Sequence, residues 1–233
     1  MLKSLKDLKK NKIEMKNGDE KPIKDFLTDD VNMTVRYIVV DGEDWLPGRS
    51  VLVSTQTVGK PTANYELPVN LTLDQIKNGP ILEKDKPIDR QFETNLFGYY
   101  GWKPYWSTEG KTQNLISMDE VVSYRVDALD GEIGHAEDLI VEDSDWTIRY
   151  MVVDTSNWNP LAKKALISTN WIKDVNMRTK MINVDVSKDM VKNSPAYNSA
   201  DMLNLEAETK LYAHYKKPGQ WVKKALEPQR PRV

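Results

Sequence analysis

Val35-Arg36-Tyr37-Ile38-Val39-Val40-Asp41 recurs as Ile148-Arg149-Tyr150-Met151-Val152-Val153-Asp154, an offset of 113 residues from Tyr37 to Tyr150. A whole stretch carried at a fixed period marks an internal repeat, and this decides against one large domain. The same offset carries Trp45 onto Trp158 and Pro47 onto Pro160. Upstream it carries Ser4 onto Ser117, Asn17-Gly18 onto Asp130-Gly131 and Asp25 onto Asp138. Downstream the register drifts to 114 at Ser54 and Ser168, then to 115 at Lys77-Asn78-Gly79-Pro80 and Lys192-Asn193-Ser194-Pro195, as two single-residue loop insertions would produce. Leu96, Tyr100 and Trp106 match Leu211, Tyr215 and Trp221, so each copy keeps its aromatic tail. The domains read from this are a first repeat at 1–106, a polar linker at 107–113 (STEGKTQ) and a second repeat with C-terminal tail at 114–233.

Local chemistry predicts mostly strands. Val35–Val40 is β-branched and aromatic with apolar residues on both faces, the pattern of a buried strand. Met181 to Val186 alternates, which suits a strand solvated on one side, and its counterpart carries Pro68, which places it at an edge or bulge. Asn17-Gly18 and Asp130-Gly131 predict type I′ hairpins opening each copy. Thr72-Leu73-Asp74-Gln75 is a capping box for a short helix that Gly79-Pro80 stops, and Ser187 starts the matching helix. Ser4 to Asp7 and Ser117 to Glu120 read as caps as well, which argues that Leu2, Leu5 and Leu8 belong to a fold-internal helix rather than a membrane anchor. Short strands with turn signals and little helix predict a small antiparallel barrel or sandwich in each copy.

Composition removes several functions. Residues 1–106 hold 16 Lys+Arg against 16 Asp+Glu and the remainder 17 against 19, so neither half has the basic excess of a nucleic-acid binder. Cysteine is absent, which excludes disulfides, thiol nucleophiles and Cys-ligated metals and fits a reducing cytoplasm. No stretch reaches the roughly 18 apolar residues of a membrane helix, and the lysine-rich start lacks the apolar core of a signal peptide. A soluble, unexported, cytoplasmic protein is expected.

Asp130-Gly131-Glu132-Ile133-Gly134, Trp146 to Asp154, and Lys192-Asn193-Ser194-Pro195 with Tyr197 resemble the PRC-barrel family, named after the cytoplasmic domain of the photosynthetic reaction centre H subunit. The first copy adds the aromatic tail that the resemblance includes, Tyr99-Tyr100-Gly101-Trp102-Lys103-Pro104-Tyr105-Trp106. Copy one departs at the opening motif, with Lys21 in place of the glycine, and has Gly79 where copy two has Ser194; copy two's tail has lost most of its aromatics. The resemblance implies a mainly β chain of two small antiparallel PRC-like β-barrels in tandem, each with short helices and an aromatic C-terminal tail. It also implies protein contact rather than chemistry, although a fold does not fix a function.

Few residues suggest chemistry. His135, with Glu137 and Asp138 nearby, and His214 occupy non-equivalent repeat positions, so no ligand spacing recurs. The acidic run at 142–145 lacks the glycine and closing Glu of an EF-hand loop, and there is no phosphate loop or nucleophile elbow. Asp41 and Asp154 read as turn caps, and Arg36 and Arg149 as partners of carboxylates. No catalytic, cofactor-binding or metal residues are assigned and no cofactor is expected. The residues that could meet a partner are the aromatics Trp45, Trp158, Tyr99, Tyr100, Trp102, Tyr105 and Trp106. Packing within the protein is the other reading for all of them, and for the tail it rests on Phe92, Leu96 and Tyr100, which at i, i+4 and i+8 form a helix stripe that leads the tail back onto the barrel. A non-enzymatic adaptor for an unknown protein partner is the expectation, with the repeats paired about a pseudo-two-fold within a monomer. The alternative is a small-ligand sensor or enzyme with a pocket between the barrels.

Overall fold

The computed structural model describes residues 1–62, 66–80, 82–83, 88–106, 114–157, 164–199 and 203–219. Over them the chain is mainly β, with two sheets, one of them curled into a half-barrel, and a few short helices. The linker at 107–113, the tail beyond Gly219 and Trp158 lie outside the described residues.

In the first repeat the elements are β1 (Leu2–Ser4), α1 (Leu5–Lys9), β2 (Lys12–Met15), β3 (Glu20–Asp29), β4 (Val35–Val40), β5 (Arg49–Ser54), β6 (Leu67–Val69), α2 (Leu73–Lys77), β7 (Leu82–Glu83) and α3 (Arg90–Tyr100). The second continues with β8 (Leu115–Ser117), α4 (Met118–Val121), β9 (Arg125–Ala128), β10 (Gly131–Glu142), β11 (Ile148–Asp154), β12 (Lys164–Ser168), β13 (Ile172–Asn176), β14 (Met181–Val184), α5 (Lys188–Lys192) and α6 (Leu205–His214). The described chain divides into two compact units: unit 1 is Met1, Lys3–Ser123 and Asp138–Arg149, and unit 2 is Leu2, Tyr124–Glu137 and Tyr150–Val233. The units therefore cut across the repeat register, because β8 and α4 open the second repeat yet belong to unit 1.

Unit 1 holds a sheet in the order β6-β2-β3-β4-β5-β7, with β8 added on β3. Its centre is β4, whose Tyr37 and Ile38 are fully buried, as the β-branched run predicts. β6, which carries Pro68, stands at the end of that order, where a residue without an N–H is tolerated. The β8 segment pairs antiparallel with β3 through Leu27↔Ser117, Thr28↔Ile116 and Asp29↔Leu115. Correspondingly, β1 pairs with β10. Ser4 caps α1 through the Asp7 N–H and Ser117 caps α4 through the Glu120 N–H, and Leu5 and Leu8 are buried, so the opening helix is internal to the fold.

Met33 and Trp146, again 113 residues apart, both take positive φ, at 50° and 58°. The carbonyl of each accepts a bond from the strand that follows the other: Val35 N–H to Trp146 at 2.9 Å, and Ile148 N–H to Met33 at 2.7 Å. Both bonds lie inside unit 1, beside the Thr34↔Thr147 bridge.

The second sheet runs in the order β12-β11-β10-β9-β14-β13. β14 alternates as its sequence predicts, with Ile182 and Val184 buried. Three expectations change. The pairs β2–β6 and β9–β14 are parallel, so the sheets are not purely antiparallel; long connections join those strands, which leaves their direction free. The turn at Asn17-Gly18 is not type I′, since Gly18 alone has positive φ (81°) and Asn17 does not; it is a three-residue turn closed by Met15 and Asp19. In α3 the buried face is Glu93, Leu96 and Phe97, while Phe92 and Tyr100 flank it rather than forming its centre.

Candidate interaction surface

The aromatic tail of the first repeat packs largely onto its own unit. α3 ends at Gly101, whose φ of 67° lets the chain reverse, and the Trp102 N–H returns to the Phe97 carbonyl at 3.0 Å. The reversal places Trp102, Tyr105 and Trp106 edge-on around the buried Phe97 ring, with centroids at 5.5, 5.9 and 4.8 Å. The Gln56 amide ties the tail down through the Lys103 carbonyl at 3.0 Å.

Under the tail lies Glu93, buried and charged, which sequence reasoning passed over. Its Oε1 accepts from the Tyr37 hydroxyl at 2.7 Å and the Tyr105 hydroxyl at 2.5 Å, and its Oε2 pairs with Arg90 at 2.7 Å. A buried carboxylate is tolerable when its lone pairs are filled in this way. Burial, with the adjacent carboxylate, pushes the Tyr37 and Tyr105 hydroxyls above the usual phenol range. Arg36 pairs with Asp29 at 2.6 Å and lies 4.2 Å from the Tyr105 ring, while Arg90 covers Trp106 at 4.3 Å. The signal was present in sequence, since Glu93 and Glu208 share a repeat position as Tyr37 and Tyr150 do, and Tyr150 donates to Glu208 in unit 2.

What the tail leaves outward is Tyr99, 47% exposed, beside a stacked pair: Tyr100 and Trp102 lie parallel at 4.2 Å and 8°, both half-buried. Burial raises the Tyr100 hydroxyl to about 12. Gly79 makes this arrangement possible, because a Cβ there would stand 2.7 Å from the Tyr100 hydroxyl. Copy two solves the same position differently. Tyr215, matched to Tyr100, is 1% exposed, with Ser194 where copy one has Gly79, and Trp171 packs on both Tyr215 and Tyr212 at 4.6 and 5.2 Å. Trp171 thus contacts the same two repeat positions that Trp102 contacts in copy one. With that indole supplied from the 3-10 turn at Thr169–Trp171, copy two has less need of tail aromatics.

The remaining candidates fall into structural roles. Trp45 is half-buried; its indole N–H donates to the Asp41 carbonyl at 2.8 Å and Lys21 lies 5.3 Å from its ring. Asp41 and Asp154 accept the N–H groups of Glu43 and Ser156, as turn caps do, and Arg149 pairs with Asp145 at 2.9 Å. His135 stands 3.8 Å from Asp154, and His214 bonds the Met190 carbonyl at 2.7 Å. Among the described residues no group of metal-ligating side chains converges, and no helix is long and apolar enough to cross a membrane. A shallow groove of about 490 Å³ in unit 1 is lined by Glu14, Lys16, Thr57, Val58 and Asn70 without a nucleophile-base pair. No protein-family model matches the chain, and no curated protein matches it.

Proposed function

We propose that the chain is a non-enzymatic interaction protein of two PRC-barrel-like repeats in tandem, paired about a pseudo-two-fold within a cytoplasmic monomer, which meets a protein partner through the tail of its first repeat. The observation that carries the reading is the asymmetry of the tails: Tyr99, Tyr100 and Trp102 offer a partly exposed aromatic face in one copy, while the equivalent Tyr215 is closed over in the other. Interfaces use Trp and Tyr as anchors because they supply large contact area at little conformational cost. The pairing is supported by bonds that repeat-equivalent residues exchange, Val35 with Trp146 and Ile148 with Met33.

Affinity capture with the full chain and with Tyr99→Ala tests the reading. A protein retained by the parent and lost with the variant supports it. A bound small molecule with no protein partner would instead favour a ligand sensor or enzyme.

A further inference from the structure

The two repeats place the same carboxylate in different company. Arg90 is the first residue of α3, follows the N-cap Asp89, and reaches Glu93 three residues on. In α6 the N-cap is Asn204, the first residue is Leu205 and the carboxylate three residues on is Glu208. Residues at that spacing share a helix face, so an arginine at 205 would reach Glu208 as Arg90 reaches Glu93. The chain has a leucine there instead, 66% exposed, and Lys210 on the same helix is committed to Glu206 at 2.6 Å. Glu93 takes two phenol hydroxyls and a guanidinium; among the described residues Glu208, half-buried, takes one donor, the hydroxyl of the fully buried Tyr150.

We propose that Glu208, with Tyr150 behind it and Leu205 beside it, is a docking site for an arginine side chain of a protein partner, filling in trans the place that Arg90 fills in cis. The proposal rests on the reading of the chain as an interaction protein and adds a second contact, in unit 2, with its own chemistry. A half-buried carboxylate holding one neutral donor carries a desolvation cost that a cation offsets. The guanidinium suits the site better than an ammonium, because its planar fork can bond the carboxylate while its face and stem lie against apolar and aromatic neighbours. Leu205 supplies such a neighbour, exposed among the described residues.

The test uses the full chain and a blocked Trp-Arg-Tyr tripeptide, which reproduces the Arg90, Tyr105 and Trp106 chemistry of the first repeat, with the citrulline version as neutral control. Calorimetric titration is expected to show weak binding of the arginine peptide, reduced about tenfold or more with citrulline and with Glu208→Gln. Leu205→Arg should abolish peptide binding and raise the melting temperature, since it supplies the cation internally. Leu205 is exposed, so this variant keeps its fold. Equal binding of the citrulline peptide, absence of binding to the parent chain, or a Leu205→Arg variant that binds peptide unchanged would each overturn the site. If the peptide fails while Tyr99-dependent capture of a partner persists, the arginine site falls and the interaction reading stands.

Discussion

The Ser117 hydroxyl donates to the Asp25 carboxylate at 2.6 Å, and the repeat-equivalent bond, Ser4 to Asp138, is made at 2.5 Å. Each serine comes from the opening segment of one repeat and each aspartate from the long strand of the other. Both bonds lie inside unit 1. Each aspartate also accepts two backbone N–H groups, Phe26 and Asp119 for Asp25, Leu139 and Lys6 for Asp138. Every serine works twice, since its oxygen also accepts from the first turn of its own helix.

Removing either carboxylate leaves a hydroxyl and two amides without their acceptor, so Asp25→Ala or Asp138→Ala is expected to cost about 2 kcal/mol or more. Asparagine keeps an acceptor for the amides and offers its own N–H to the serine, so Asp25→Asn should recover most of that loss. Denaturant unfolding at neutral pH compares the three; equal losses for Ala and Asn would refute the assignment.

Burial is the largest influence on both aspartates and raises them above the ordinary value of 3.8. The folded protein therefore holds these protons at higher pH than the unfolded chain does. Their contribution is fully present below 3.8 and declines as pH rises through the raised folded values. The double Asp25→Asn, Asp138→Asn variant should lack this part of the slope, and its stability relative to the parent should improve as pH rises from 4 to 7, read by melts across that range. A difference that stays constant with pH would contradict the raised values.

Trp102 and Trp171 reach the same two repeat positions from different segments, so each is expected to stabilise its own copy. Trp171→Ala, at a site 5% exposed, should cost about 3 kcal/mol or more, and Trp102→Ala, half-buried, about half of that. Unfolding free energies check both. The reverse order would mean the tail, not the 3-10 turn, supplies the better-packed indole.

Gly134 has φ of 122°, and a Cβ there would stand 1.8 Å from the Asp154 carbonyl oxygen. Gly134→Ala is expected to cost about 4 kcal/mol. Lys21 holds the same repeat position within an unshifted β2–β3 register, whereas β10 shifts between Glu132 and Gly134, so Lys21→Gly should lower stability by no more than about 1 kcal/mol. Thermal melts of the pair test whether the bulge belongs to copy two alone.

Periodicity by itself determined the repeat, the buried strand at Val35–Val40, the alternation of β14 and the serine and threonine caps, because each depends on neighbours within a few residues. It also exposed the departures at Lys21 and Gly79, though not their meaning. That required distances: Gly134 is glycine because a carbonyl from β11 approaches it, and Gly79 because a tyrosine hydroxyl does. Glu93 stands out in nothing local, since its neighbours in sequence do not reveal that Tyr37, 56 positions earlier, and the returning tail will surround it. Likewise the placement of Ser117 on Asp25 rather than on its own repeat's Asp138 was invisible in the sequence, because equivalent residues in two copies carry the same local signals. Only the path of the chain between them distinguishes a bond within a repeat from one exchanged with the other.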